Sequence, residues 1–177
     1  MKAVLVLAAL VTATLVTARD VVAQDATPQP TPAHKALKSM EGVWNATLKM
    51  EGNEFPGEVT ARLVCGGLWL ESDYSTEFGG LKFTGKGLDG YDTNKKKFVS
   101  IWVDSMSTSP MILEGAYNAE SNKLVLTGTG TNMQGQTVKL KAISIHENEN
   151  HHTFELSEVK DDGSEKSMFT IDYKRKK

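Results

Sequence analysis

GYDTNKKKFVSIWVDSMSTSPMILEGAY, residues 90–117, is the stretch that decides the fold. From Phe98 the chain alternates strictly, with Phe98, Ser100, Trp102 and Asp104 on one face and Val99, Ile101 and Val103 on the other. Side chains that alternate with period two belong to an extended strand, because successive Cβ atoms point to opposite faces. Ser105 to Pro110 is turn chemistry, and the alternation resumes from Met111 to Tyr117. The two runs therefore form a β-hairpin. With its loop centred near Ser107, Asp104 faces Met111, Trp102 faces Leu113, Ser100 faces Gly115 and Phe98 faces Tyr117. All eight then share one face. Bulky groups beside Ser100 and Gly115 leave space there, as the lining of a ligand-holding interior would. The other face carries Val99, Ile101, Val103, Ile112 and Glu114. A slip of one residue in the pairing would invert this assignment.

The same period runs through most of the chain. Trp44, Ala46, Leu48 and Met50 share one face of the first strand; Val59, Ala61, Leu63 and Cys65 share one face of the next. The last strand sets Phe169, Ile171 and Tyr173 against Met168, Thr170, Asp172 and Lys174. Between strands lie turn-forming stretches such as the Glu51–Gly57 loop, Gly79-Gly80, Asp92 to Asn94, His146 to His151 and Asp161 to Ser164. The count comes to about ten strands in an antiparallel meander. No second helical stretch is long enough for a βαβ crossover. A meander of this length leaves two exposed edges unless it closes on itself, and closure leaves an interior wide enough for one small ligand. One short helix precedes it: Thr31 serves as N-cap, Pro32 suits the first helical position, Ala33, Leu37 and Met40 share a face, and Gly42 ends it. The expected fold is all-β, an up-and-down antiparallel β-barrel of about ten strands with the short N-terminal helix plugging one end.

At the N-terminus, Lys2 precedes an apolar run from Ala3 to Val16, and Val21-Val22-Ala23 meets small-residue cleavage rules. Residues 1–23 read as a signal peptide, with cleavage after Ala18 as the rival site. The run is shorter than the ~20 residues a spanning helix needs, so no membrane span is expected after cleavage. Residues 24–31, with Pro28 and Pro30, read as a Pro-rich tether, and 32–177 as the barrel domain. The expected location is exported, periplasmic or extracellular. Among 177 residues, 20 basic and 22 acidic side chains give a net charge of -2, which offers no basic footprint for nucleic acid. The single cysteine rules out an internal disulfide framework and a Cys-based zinc cage.

Two motifs carry a family resemblance. Gly42-Val43-Trp44, entered from a short helix, resembles the start of lipocalins and their calycin relatives. The resemblance implies that Trp44 closes the bottom of the barrel and that Arg175, just past the last strand, packs over its ring. The G-Y-D turn at Gly90, the W-x-D-S-M hairpin at Trp102 and the following Glu114-Gly115 strand resemble the bacterial family called domain of unknown function 1579, over roughly His34 to Arg175. That likeness implies a calycin-like barrel, often exported, and supplies no activity.

Other motifs dissolve on inspection. Gly85-Lys-Gly-Leu-Asp-Gly90 matches G-x-G-x-x-G, but a dinucleotide site needs a helix next and here a strand follows. Strand glycines that admit a close neighbour are the better reading. Gly80 to Lys86 lacks the Ser or Thr of a phosphate loop. His146-Glu-Asn-Glu-Asn-His151-His152 misses H-E-x-x-H by one residue and reads as a polar turn, so no metal is assigned. Cys65 reads as a buried structural thiol, with no local histidine or cation to activate it. No catalytic residue and no cofactor is assigned.

The candidate ligand-binding residues are Phe98, Ser100, Trp102, Asp104, Met106, Met111, Leu113 and Tyr117. Asp104 at the rim would fix a polar end, and Met106 and Met111 would adapt to an apolar one; alternatively Asp104 caps the turn and the aromatics simply pack the core. The function this favours is an exported barrel binding a small hydrophobic or amphipathic ligand. Three readings compete: a hydrolase or isomerase using Asp104 or Glu114 as general base, a haem barrel needing an inward histidine at His146, and a ligand-free envelope-associated structural protein. Parity around His146 is undecided, because Lys139 and Lys141 put even residues inward whereas Ile143 and Ile145 put odd ones inward.

Overall fold

A computed structural model describes residues 27–132 and 134–177. The proposed signal peptide, residues 1–23, and the first part of the tether lie outside the described residues. Helix α1 (Pro32–Lys38) leads into ten strands: β1 (Gly42–Met50), β2 (Asn53–Val64), β3 (Trp69–Phe78), β4 (Leu81–Asp92), β5 (Lys97–Asp104), β6 (Met111–Asn118), β7 (Lys123–Thr131), β8 (Thr137–Asn148), β9 (His151–Val159) and β10 (Glu165–Arg175). Each strand pairs antiparallel with its neighbours in sequence, and β1 pairs with β10, so the sheet closes. Ala46 lies opposite Tyr173 and Leu48 opposite Ile171 across this seam. Closure removes both free edges that an open meander would present to solvent.

The inward face is the one the alternation marked. Trp44, Ala46, Leu48, Val59, Ala61, Leu70, Leu113, Leu126, Leu140, Ala142, Leu156 and Ile171 are buried in one continuous core. Even residues point inward on β8, where Leu140 and Ala142 are buried, which settles the parity around His146. Helix α1 carries the expected Thr31 cap, with His34 returning its Nδ1 to the Thr31 backbone N–H at 3.0 Å, and packs against β3 and β4 at one end of the barrel.

That end is tightly sealed. Trp44 is 1% exposed, and its indole N–H donates to the Met40 carbonyl at 2.9 Å. Arg175 sits 4.0 Å above the Trp44 ring centroid. Its guanidinium also donates to the carbonyls of Glu41, Ser39 and Glu149 at 2.7, 2.8 and 2.9 Å. Gly42 makes this approach possible, since a Cβ there would lie 2.5 Å from the guanidinium. The Arg175 contact implied by Gly-x-Trp is therefore present.

Three details differ from expectation. The Glu51–Gly57 loop is a tight turn at Glu51-Gly52, with Met50 opposite Asn53 and the rest already in β2. Cys65 is exposed rather than buried: β2 ends at Val64, and Cys65 enters a short 3₁₀ turn with φ of 50°. The turn that carries the chain across to β3 rotates the thiol off the core face. The hairpin register is also shifted by two residues. Trp102 lies opposite Met111, Ser100 opposite Leu113, and Phe98 opposite Gly115. Pro110 has no N–H to give to the ladder, and Val103 and Asp104 pair only with β4, so the loop opens two residues earlier. An even shift preserves the facing of every side chain.

Candidate functional site

Of the eight residues proposed from sequence, the structure brings Ser100, Trp102, Asp104, Met111 and Leu113 onto one inward wall, with Phe98 deeper towards the sealed end. Leu113 is 1% exposed and is core. Phe98 packs edge-on against Tyr91 at 5.1 Å. Two residues fall outside the interior. Tyr117 is 45% exposed near the sealed end, its hydroxyl donating to Asn122 at 2.5 Å. Met106 is 61% exposed on the loop at the opposite, open end. An eight-residue spread along a hairpin spans the barrel from end to end, so it cannot form one compact pocket.

Asp104 is committed to local structure. One carboxylate oxygen accepts the Trp102 indole N–H at 2.9 Å and the other accepts the Met106 backbone N–H at 2.8 Å. The carboxylate thus caps the turn and also orients the indole. Beneath that indole Gly85 is required, because a Cβ would come within 2.1 Å of the ring. This is the close approach that the glycines of the G-x-G-x-x-G stretch serve. Glu114 points outward and pairs with Lys95 and, at 3.9 Å, Lys97. Neither carboxylate is a free base.

The interior instead holds polar groups that the sequence reading passed over. Asp89 on β4 faces inward opposite Ser100. It is closely surrounded by protein and only partly accessible. Loss of hydration there raises its pKa to about 6, partly offset by the Ser100 hydroxyl. Tyr173 is enclosed too, and burial, with Tyr74 and Asp89 nearby, pushes its phenol well above the usual range. The buried Tyr74 hydroxyl has no partner at hydrogen-bond geometry; burial raises its pKa, partly offset by the neighbouring Thr76 hydroxyl.

At the sealed end, His152 is buried with Nδ1 unpartnered. Its ring stacks on Tyr173 at 4.3 Å and meets Trp44 edge-on at 4.5 Å. Burial holds its pKa down at about 3, aided by His146, His151 and Arg175. It is therefore a neutral imidazole at neutral pH. His152 also joins His146 as an inward histidine, at 5.7 Å between rings, so His146 is not alone in that role.

Space is unevenly distributed. A cavity of about 80 Å³ lies at the sealed end among Trp44, Leu70, Ser72, His152 and Tyr173. It admits a small group and not a drug-sized molecule. Above it, towards the open end, the rings of Phe55, Phe78, Phe83, Tyr74 and Trp102 form a connected wall with centroids 4.9–6.2 Å apart. All but Tyr74 are only partly buried. A larger pocket of about 430 Å³ opens on the outer wall across β2 to β5, lined chiefly by outward side chains such as Thr60, Asp73 and Lys86. Ion pairs of Asp73 and Glu71 with Arg62 and Lys86 cross that face. Among the described residues there is no group of three metal-ligating side chains, and no helix is long and apolar enough to cross a membrane.

The family model described as a protein of unknown function, DUF1579, matches residues 29–175. The chain belongs to that family. No curated protein matches it. Among solved structures, this DUF1579 barrel is similar to the S-type phycobiliprotein lyase CPES from Guillardia theta, at 8% identity, over 82% of this chain and 93% of that one, with a TM-score of 0.55. It also matches a redesigned β-barrel at 14% identity, over 80% of this chain and 96% of that one, with a TM-score of 0.46. At such identities the lyase likeness is one of fold.

Proposed function

We propose that this DUF1579 barrel is an exported carrier that holds a small apolar or amphipathic molecule in its interior. The observation that carries the reading is a set of interior polar groups without protein partners, the Tyr74 hydroxyl and His152 Nδ1, beside the desolvated Asp89. A protein filled for packing alone pairs its buried polar groups or does without them. Here His152 and Asp89 lie below, and Tyr74 within, a partly open aromatic wall, an arrangement suited to a ligand with a polar end and an apolar body. Ser100, Trp102 and Met111 from the hairpin, with Asp89 and Tyr74 from the adjoining strands, contribute one wall of that site, and Tyr173 of the last strand contributes another.

The test is solvent extraction of purified protein followed by mass spectrometry, with displacement of a fluorescent apolar probe as the second readout. A stoichiometric co-purified molecule, or a probe that binds and loses affinity in Trp102→Ala, is expected. A protein that carries nothing and binds no apolar probe overturns the reading. Export is tested by sequencing the N-terminus of the protein recovered outside the cytoplasm, where the mature chain is expected to begin at Gln24.

A further inference from the structure

The cavity of about 80 Å³ at the sealed end combines an apolar shell with a buried polar group that no protein atom satisfies. Trp44, Val59 and Leu70 supply apolar walls, and His152, Ser72 and Tyr173 supply polar ones. His152 is 5% exposed, and its Nδ1 has no hydrogen-bond partner. Its ring is held in place on two sides, stacked on Tyr173 and edge-on to Trp44. A buried polar atom left unpaired costs free energy, and such atoms persist where a ligand or ordered water completes them.

The lining carries no formal charge. No lysine, arginine, aspartate or glutamate is among the residues around this cavity. Arg175 lies against the Trp44 ring with its guanidinium given to three carbonyls. His152 itself stays neutral at neutral pH, since burial holds its pKa down at about 3. A charged head entering here would shed its water and meet no counter-charge, which costs far more than burying a neutral group. A neutral imidazole and two hydroxyls each offer a donor and an acceptor. Their smallest complement is another hydroxyl.

Size and position narrow the choice. The volume is about half of the ~150 Å³ that accommodates a benzene ring, so it takes a hydroxyl and the first few carbons of a chain rather than a ring. The cavity ends at the foot of the aromatic wall: Val59 lies opposite Tyr74, Ser72 opposite Gly87, and Gly87 opposite Trp102. A chain rooted in the cavity meets Tyr74 and Trp102 first on its way to the mouth.

We propose that the cavity beside His152 is the head-group subsite of the barrel and takes the hydroxyl of a primary alcohol on an apolar chain, hydrogen-bonded to His152, Ser72 and Tyr173. This rests on the carrier reading above and adds the chemical class of the ligand's polar end.

The experiment titrates the full chain as purified, by calorimetry at pH 7.5, with octan-1-ol, heptyl methyl ether, octanoate and octyltrimethylammonium below their aggregation concentrations. The ether is an isomer of the alcohol that has no proton to donate. Octan-1-ol is expected to bind at least about tenfold more tightly than the ether and than either charged probe, in keeping with hydrogen bonds made out of water. Its preference over the ether is expected to fall below about threefold in His152→Phe and in the Ser72→Ala/Tyr173→Phe double variant. Ether binding, which needs only the apolar walls, should persist in both and reports that the barrel is intact. Equal binding of alcohol and ether, tighter binding of either charged probe, or a preference that survives in both variants overturns the hydroxyl subsite and leaves the carrier reading standing. Loss of ether binding in both variants assigns these groups to the fold and overturns the subsite too. Binding of none of the four probes to the unaltered protein overturns both readings.

Discussion

The sealed end and the middle of this barrel use similar residues to opposite effect. At the sealed end Trp44 is buried, its N–H is satisfied by Met40, and Arg175 covers the ring while donating to three carbonyls. Donors and charge are there matched to partners. On the inner side of the seal the buried His152 Nδ1 has no partner, and further in the Tyr74 hydroxyl has none and Asp89 has no cation set against it. Saturated polar contacts hold a barrel shut, whereas unsaturated ones reduce its stability and persist where something else completes them. The contrast separates the part of the molecule that maintains the fold from the part available for function.

The largest expected effect lies at the sealed end. Trp44→Ala removes the ring that α1, Arg175 and His152 all pack against, and should cost about 3–5 kcal/mol in urea unfolding. A loss below about 1 kcal/mol would mean that the seal is not a stabilising element.

The middle should respond in the opposite direction. Asp89 has a folded pKa of about 6 against an ordinary 3.8, so the folded state binds its proton more tightly than the unfolded state does. Its contribution to stability is present below pH 3.8 and is lost as pH rises through about 6. Asp89→Asn should therefore raise stability at pH 7.5 by roughly 2–3 kcal/mol. His152 works the other way: held at about 3 against 6.5, it contributes stability above pH 6.5 that is lost as pH falls towards 3. Between pH 6 and pH 4 the two oppose each other. Removing Asp89 should leave the His152 effect unopposed and make acid destabilisation steeper. Urea midpoints across that range, for wild type and variant, check both signs, and an unchanged pH profile would contradict the burial of Asp89.

The smallest effect is at the open rim. Met106→Ser should change stability by less than about 0.5 kcal/mol, because the side chain is exposed and packs against no core residue. A larger loss on thermal unfolding would show that the loop is part of the structural seal.

Much of the architecture was legible along the chain because β-structure writes a local signature. Trp44-Asn-Ala-Thr-Leu48 and Phe98-Val-Ser-Ile-Trp102 declare their inward faces without reference to any partner. The site was less legible. Asp89 stands between Leu88 and Gly90 in a glycine-rich stretch, and glycines at Gly85 and Gly87 left no apolar alternation to mark its face. Parity would have found it, since Phe83, Gly85, Gly87, Asp89 and Tyr91 share one face of β4 and Asp89 lies across from Ser100. His152 likewise closes a polar stretch that reads as a turn, although Phe154 and Leu156 mark its side of β9.

Alternation, turn chemistry and the cost of open edges were enough to determine a closed ten-stranded barrel, and Gly42-Val43-Trp44 was enough to point to its sealed end. Those are consequences of nearest-neighbour geometry, which every strand carries within itself. Which acid is stripped of water, which is used up in a loop, and which hydroxyls converge were decided only by closure. Closure brings Tyr173 of the last strand to Asp89 of the fourth. Hydration and charge depend on everything that surrounds a group in space, and that environment exists only once the ends of the sheet have met.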